Sequence, residues 1–171
     1  MMREYKMVSL ILSLFILAAS CTAQDVETEN IPDEVLPIVE TGRFAESFAV
    51  NGGMNPFYLR GDFDGDHKPD YAMWTKAKNS GQVGIAVWLS SKKDVVILGA
   101  GRSFLLAGAT VTSLNSINFW KVFQRGPVEQ GVATQKPPRL VGDAILAGKR
   151  ESASGLLYWT GTRFVWYQQG D

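Results

Sequence analysis

The strongest constraint on the fold is an acidic segment, residues 61–71, in which four aspartates lie within nine residues. Neighbouring carboxylates repel one another, so a chain that crowds them in this way needs something that neutralises them. Their alternate spacing turns the side chains toward one centre when the backbone curls, which suits a hard cation that takes about six to eight oxygen ligands. The sequence therefore predicts a Ca²⁺ loop whose ligands are the carboxylates of Asp62, Asp64, Asp66 and Asp70 and the main-chain carbonyl of Lys68.

The pattern Asp-x-Asp-Gly-Asp-x-x-x-Asp over residues 62–70 follows an apolar run and precedes residues 71–74, Tyr-Ala-Met-Trp. It resembles the calcium loop of FG-GAP/VCBS-type repeats, which occur in integrin-like β-propellers and in many secreted bacterial proteins. The family usually has glycine where this chain has His67, and a left-handed backbone there is tolerated better by histidine than by most residues. An EF-hand does not fit, because its twelfth position needs a glutamate and this chain has Met73. The alternative is an aspartate-rich turn that binds no ion.

The N-terminus has the pattern of an export signal, in which Arg3 and Lys6 precede a short apolar run, residues 8–19. The segment Leu-Ala-Ala-Ser-Cys that ends at Cys21 resembles the lipobox of bacterial lipoproteins, although its leucine lies one residue further from the cysteine than usual. The resemblance implies that residues 1–20 are a lipoprotein signal peptide and that Cys21 is acylated, which would attach the chain to a membrane.

The segment that follows the cysteine is polar and acidic, so residues 21–30 are predicted to be the lipidated cysteine and a flexible tether. Thr22, in place of an aspartate at that position, favours the outer membrane of a bacterial envelope, with the protein facing the periplasm. The alternative is a plain signal peptide cut near Ala23, which would leave a soluble secreted or periplasmic protein.

The rest of the chain, residues 31–171, has the length of one domain. In the whole sequence, lysine and arginine together number 17, and aspartate and glutamate together also number 17. This charge balance indicates no nucleic-acid partner. Glycine and proline recur about every dozen residues between apolar runs, which favours antiparallel strands over alternating strands and helices. We predict a single α+β domain, mainly one antiparallel β-sheet with one or two short helices. It contains no repeat, and a propeller needs several.

The segment 31–42 predicts a short or broken helix, with Pro37 in its middle and Gly42 as its stop. Residues 113–125 fit a short helix or an aromatic-rich strand, and residues 126–139 predict a long loop. The predicted strands are residues 56–60, 71–75, 84–90, 95–98, 143–147, 155–159 and 163–167.

The expected function is that of a structural or binding module of the envelope, whose calcium ion joins the strands on either side of the loop and whose partner could be a protein or a glycan. The alternative is a secreted glycan- or peptide-acting enzyme or inhibitor with an aromatic cleft. That alternative requires acids such as Glu46, Asp143 and Glu151 to converge. No catalytic residue is predicted, because His67 is the single histidine and has no partner base in the sequence. The tripeptide at 60–62, Arg-Gly-Asp, matches an adhesion motif, but a metal-bound Asp62 would not be free for that use.

Overall fold

The structure, a computed structural model, describes residues 26–92 and 94–170. The predicted signal peptide, Cys21 and the first part of the predicted tether lie outside the described residues. A 3₁₀ turn spans Thr28–Asn30 and is followed by the helices α1, Leu36–Glu40, and α2, Gly42–Ser47. The strands found in the described residues are β1 (Phe48–Val50), β2 (Tyr58–Gly61), β3 (Asp70–Ala77), β4 (Val83–Trp88), β5 (Val95–Gly99), β6 (Phe104–Leu106), β7 (Ala109–Val111), β8 (Phe119–Phe123), β9 (Ala144–Gly148), β10 (Ser154–Trp159) and β11 (Phe164–Gly170).

The first sheet has the strand order β1-β3-β4-β5. The strand β2 also pairs with β3, on the same edge as β1 but along the other half of that edge. All of these pairings are antiparallel. The central strand β3 is buried along almost its whole length, because its alternating side chains meet packed residues on both faces. Trp74 belongs to the main core on the inner face, while Met73 belongs to a smaller cluster on the outer face. A strand buried on both faces is typically a continuous apolar run, as residues 71–74 of β3 are here.

The second sheet has the antiparallel order β11-β10-β9-β8, and β6 and β7 form a separate hairpin. The inner faces of the two sheets pack together, with buried residues from both in one hydrophobic cluster. The indole rings of Trp74 and Trp120 meet edge to face across this interface, with their centroids 5.7 Å apart. The buried indole nitrogen of Trp120 also donates a hydrogen bond of 2.6 Å to the carbonyl of Pro56. This contact ties the second sheet to the segment that enters β2.

The outer faces of both sheets are covered by less regular segments. Phe44 of α2 packs with Phe48 and Ala86 on the outer face of the first sheet. On the outer face of the second sheet, Leu140 of the long connection between β8 and β9 packs against Leu156. That connection therefore forms part of the fold and brings the residues just before β9 toward the first sheet.

The predicted fold class is confirmed: the described residues form antiparallel sheets with two short helices, and they contain no closed or propeller-like sheet. The expectation of one sheet is wrong, because the strands divide into two sheets that face each other. Gly42 does not end the helical segment but begins α2 with a positive φ of 68°. The ambiguous segment 113–125 contains the strand β8, and residues 126–139 form no helix or strand, as predicted. In the described part of the chain no helix is both long and apolar enough to cross a membrane.

Candidate metal centre

The acidic segment is the loop that joins β2 to β3, and strand pairing closes it at its base. Gly61, the last residue of β2, lies opposite Asp70, the first residue of β3. Side-chain oxygens of Asp62, Asp64 and Asp70 all lie within 4.8 Å of one another. The structure thus brings together three of the four predicted carboxylate ligands at the point where the two strands separate.

The loop backbone curls around these carboxylates. Gly65 and His67 both have positive φ values, 80° and 65°, so the predicted left-handed conformation at His67 is confirmed. The Asp62 carboxylate accepts hydrogen bonds from the amides of Gly65, at 2.8 Å, and His67, at 3.1 Å. Asp64 accepts one from the amide of Asp66 at 3.2 Å and another from the hydroxyl of Ser91. These bonds hold the two carboxylates in place from the side of the loop.

Asp70 is the buried member of the group, with 0% of its surface exposed. One carboxylate oxygen accepts hydrogen bonds from the amides of Phe63, at 2.8 Å, and Asp64, at 3.3 Å. The other accepts a bond of 2.7 Å from the amide of Ser90, just beyond β4. Burial raises the pKa of this carboxyl, and the charge of Asp64 adds to the rise, although the three amide bonds oppose it. A buried acid next to a second acid is an environment that a cation would stabilise.

Asp66 and Lys68, the other two predicted ligands, have a different place in the structure. The Asp66 carboxylate accepts hydrogen bonds from the Lys68 amide, at 2.8 Å, and from the Ser90 hydroxyl, at 3.4 Å. It also lies 3.8 Å from the ammonium group of Lys68. It is not a member of the group of three carboxylates. The roles of Asp66 and of the Lys68 carbonyl as ligands stay predictions.

The loop is fixed in turn by the residues just before β9. The Asp143 carboxylate accepts hydrogen bonds from the amides of Asp62, at 3.1 Å, and Arg125, at 2.8 Å. The Asp143 amide donates a bond of 2.6 Å to the Asp62 carbonyl. The sequence predicts Asp143 only as the first residue of a strand and as one of the acids of a possible cleft. A glycine and an aspartate directly before a strand, at 142 and 143, are the local signal for a tight turn that could have drawn attention to it.

The two backbones approach so closely that neither has room for a side chain at the contact. A Cβ atom built on Gly65 would lie 2.3 Å from the carbonyl oxygen of Val141, and one built on Gly142 would lie 2.3 Å from that of Asp62. Glycine permits such a close backbone approach. The acidic loop is therefore packed tightly against the segment just before β9.

The donor set fits a hard divalent cation. Carboxylate oxygens are the ligands that Ca²⁺ prefers, and two oxygens on opposite sides of a calcium ion are separated by about 4.6–5.2 Å, twice the usual ligand distance. The three carboxylate oxygens all lie within 4.8 Å of one another, so none is further from the next than two ligands of one calcium ion can be. With no thiol or buried imidazole in the group, the set does not suit a soft metal.

The acids that a catalytic cleft would need do not meet. Asp143 and Glu151 lie beyond opposite ends of β9, a separation of about 3.3 Å for each intervening residue. Glu46 lies in α2, on the outer face of the first sheet. The aromatic residues considered for such a cleft are mostly buried: Tyr71, Trp74, Trp120, Trp159 and Tyr167 are buried, and Trp88 and Trp166 are half-buried. His67 is exposed, with its nearer ring nitrogen 3.7 Å from the Asp62 carboxylate, which agrees with a role in the loop.

Comparison of the chain with protein-family models, with curated proteins and with solved structures gives no match. The acidic loop and its supports are therefore the observations from which a function can be inferred.

The raised pKa of Asp70 predicts how the stability of the ion-free protein depends on pH. The folded state holds the Asp70 proton more tightly than the unfolded state, so this residue's contribution to stability is present below its ordinary pKa of 3.8 and is lost as pH rises through the higher folded value. Urea unfolding of the wild type and of Asp70→Asn, both in excess EDTA, checks this. We expect the wild type to lose stability relative to the variant from about pH 4 upward. A constant difference between the two proteins would contradict the prediction.

Proposed function

We propose that the protein is an exported, lipid-anchored component of a bacterial envelope whose single domain binds one structural Ca²⁺ through the loop between β2 and β3. The ligands would be the carboxylates of Asp62, Asp64, Asp66 and Asp70 and the carbonyl of Lys68, as in the FG-GAP/VCBS-type loops that the sequence resembles. The convergence of three of these carboxylates at the base of the loop is the observation that carries the proposal.

The ion would act as a clamp. Its ligands come from the end of β2, the loop itself and the start of β3, and Asp70 is bonded to Ser90 beyond β4. The ion would neutralise the repulsion among the carboxylates and hold three strands of the first sheet at one end. Because Asp143 binds the Asp62 backbone, the order imposed by the ion would extend to the second sheet.

The anchor and the location follow from the N-terminal sequence alone. Acylation of Cys21 would place the domain at the membrane surface on a short acidic tether, facing the periplasm from the outer membrane. A calcium site with a dissociation constant of about 10⁻⁴–10⁻³ M would be occupied in a compartment that contains millimolar calcium. The partner that such a module would bind is a protein or a glycan of the envelope.

Calcium is expected to stabilise the full-length chain, purified in a mild detergent and first treated with EDTA. At a calcium concentration about 20 times the dissociation constant the gain is about 1.8 kcal/mol. For a domain of this size that gain raises the melting temperature by about 4–7 °C. Tryptophan fluorescence during heating measures the change, since the chain has five tryptophans.

The variant Asp64→Ala removes one ligand, and its melting temperature should not respond to calcium. Glu129→Ala is the matched control, because it removes an exposed acid outside the loop and should keep the full response. A wild-type protein that shows no response at about 10 mM calcium, well above the weakest constants of extracellular modules, would leave the loop as an ion-free turn.

A further inference from the structure

The outer edge of β5 has the features of an interaction surface. In the described part of the chain β5 pairs only with β4, and its residues, Val-Val-Ile-Leu-Gly at 95–99, include no charge and no proline. The first three are half-buried. Free edges of soluble proteins are usually protected by charged side chains, prolines or covering segments, because an apolar unpaired strand adds a further strand readily.

The other sheet edges carry such protection. The exposed Arg60 lies in β2 and the exposed Lys121 lies in β8. The edge strand β11 is bonded to the long connection, since the amide of Val132 donates to the carbonyl of Gln169 at 3.2 Å. β1, β6 and β7 are each only three residues long. β5 thus stands apart from the other edges.

A groove of about 870 Å³ with apolar and polar lining residues lies directly beside β5 on the outer face of the first sheet. Val95 and Ile97 of β5 line it together with Ile38, Phe44 and Phe48 from the helical segment and β1. Because side chains alternate along a strand, residues 95 and 97 point to the same face. A strand that extended the sheet beyond β5 would place its own alternate side chains next to this groove.

Four exposed charged side chains line the groove and balance one another: Glu46 and Asp94 are acidic, and Arg43 and Arg102 are basic. Asp94 precedes β5, and Arg102 follows its end by three residues; both side chains are exposed and line the groove. Within the described residues neither side chain has a hydrogen bond or ion pair. When two copies of a strand run antiparallel, the start of each lies beside the end of the other, so each acid comes next to the partner's Arg102.

We propose that β5 is a homodimer interface, at which a second copy of this chain pairs its own β5 antiparallel and the two first sheets become one continuous sheet. Main-chain hydrogen bonds and the apolar residues of β5 supply the affinity, and the two Asp94–Arg102 contacts set the antiparallel direction. This inference does not depend on the calcium site, because the acidic loop is not among the groove's lining residues.

The test uses the full-length chain in a mild detergent, with sedimentation velocity across a range of concentrations. Two full-length copies carrying different tags, expressed together, provide a second measurement, in which one copy is captured through the tag of the other. The wild type is expected to dimerise. Asp94→Arg or Arg102→Asp alone brings like charges together and should raise the dissociation constant by at least about tenfold.

The double variant Asp94→Arg with Arg102→Asp exchanges the two charges and should restore the wild-type dissociation constant to within about threefold, a pattern that a general loss of stability does not produce. Glu129→Arg, which reverses an exposed charge on the long connection, is the matched control and should dimerise as the wild type does. A monomeric wild type at every concentration overturns the proposal. A dimer that neither single variant at Asp94 or Arg102 nor their double variant changes also overturns it. A double variant that stays monomeric overturns it as well.

Discussion

Alanine in place of Gly65 is expected to lower the free energy of unfolding by about 2–5 kcal/mol, measured in excess EDTA so that no ion contributes. Two effects add. A non-glycine residue in a left-handed conformation costs about 1–2 kcal/mol, and Gly65 has a φ of 80°. The new Cβ would also lie 2.3 Å from the Val141 carbonyl oxygen, and crowding of a packed site costs about 1–3 kcal/mol.

Gly81→Ala is the matched control for this prediction. Gly81 also has a positive φ, 69°, but an added Cβ there meets nothing within 4 Å. The Gly81→Ala variant should therefore lose only the free energy of unfolding that the left-handed conformation costs a non-glycine residue, about 1–2 kcal/mol. Urea unfolding followed by tryptophan fluorescence compares the two variants with the wild type. Equal losses in both variants would mean that residues 141–142 do not press on the acidic loop, contrary to the structure.

The sequence was informative wherever the signal was local. Alternating apolar residues located most strands, since the period of a strand is a property of a few consecutive residues. The spacing of Asp62, Asp64 and Asp70 predicted their convergence, because a tight loop that reverses the chain between two paired strands leaves few other arrangements. The left-handed conformation of His67 is implied instead by the resemblance to FG-GAP/VCBS-type loops, which usually have glycine at that position.

The misses concern relations between distant residues. Periodicity shows that a strand has two faces, but it does not show which strands share a sheet, and so two facing sheets were expected to be one. The bond between Asp143 and the Asp62 amide joins residues 81 positions apart, beyond the reach of any local pattern.

Alanine in place of Asp70 is expected to cost about 3 kcal/mol or more of the free energy of unfolding even when calcium is absent. The substitution removes the acceptor of three backbone amides, those of Phe63, Asp64 and Ser90. Each buried donor left without a partner costs about 1–3 kcal/mol. Removing a desolvated carboxylate and its repulsion from Asp64 returns part of that cost, which is why the expected loss is smaller than the sum.

In excess EDTA, Asp66→Ala is the control, since its half-buried carboxylate accepts bonds only near the surface and water can replace them; the loss in EDTA should stay below about 1 kcal/mol. Urea unfolding in excess EDTA and then in calcium separates two roles of Asp70. A large loss in both conditions means that this buried carboxylate holds the loop to β4 whether or not an ion binds. An Asp70→Ala protein as stable as the wild type in EDTA would contradict the prediction and would mean that Asp70 contributes to stability only through a bound cation.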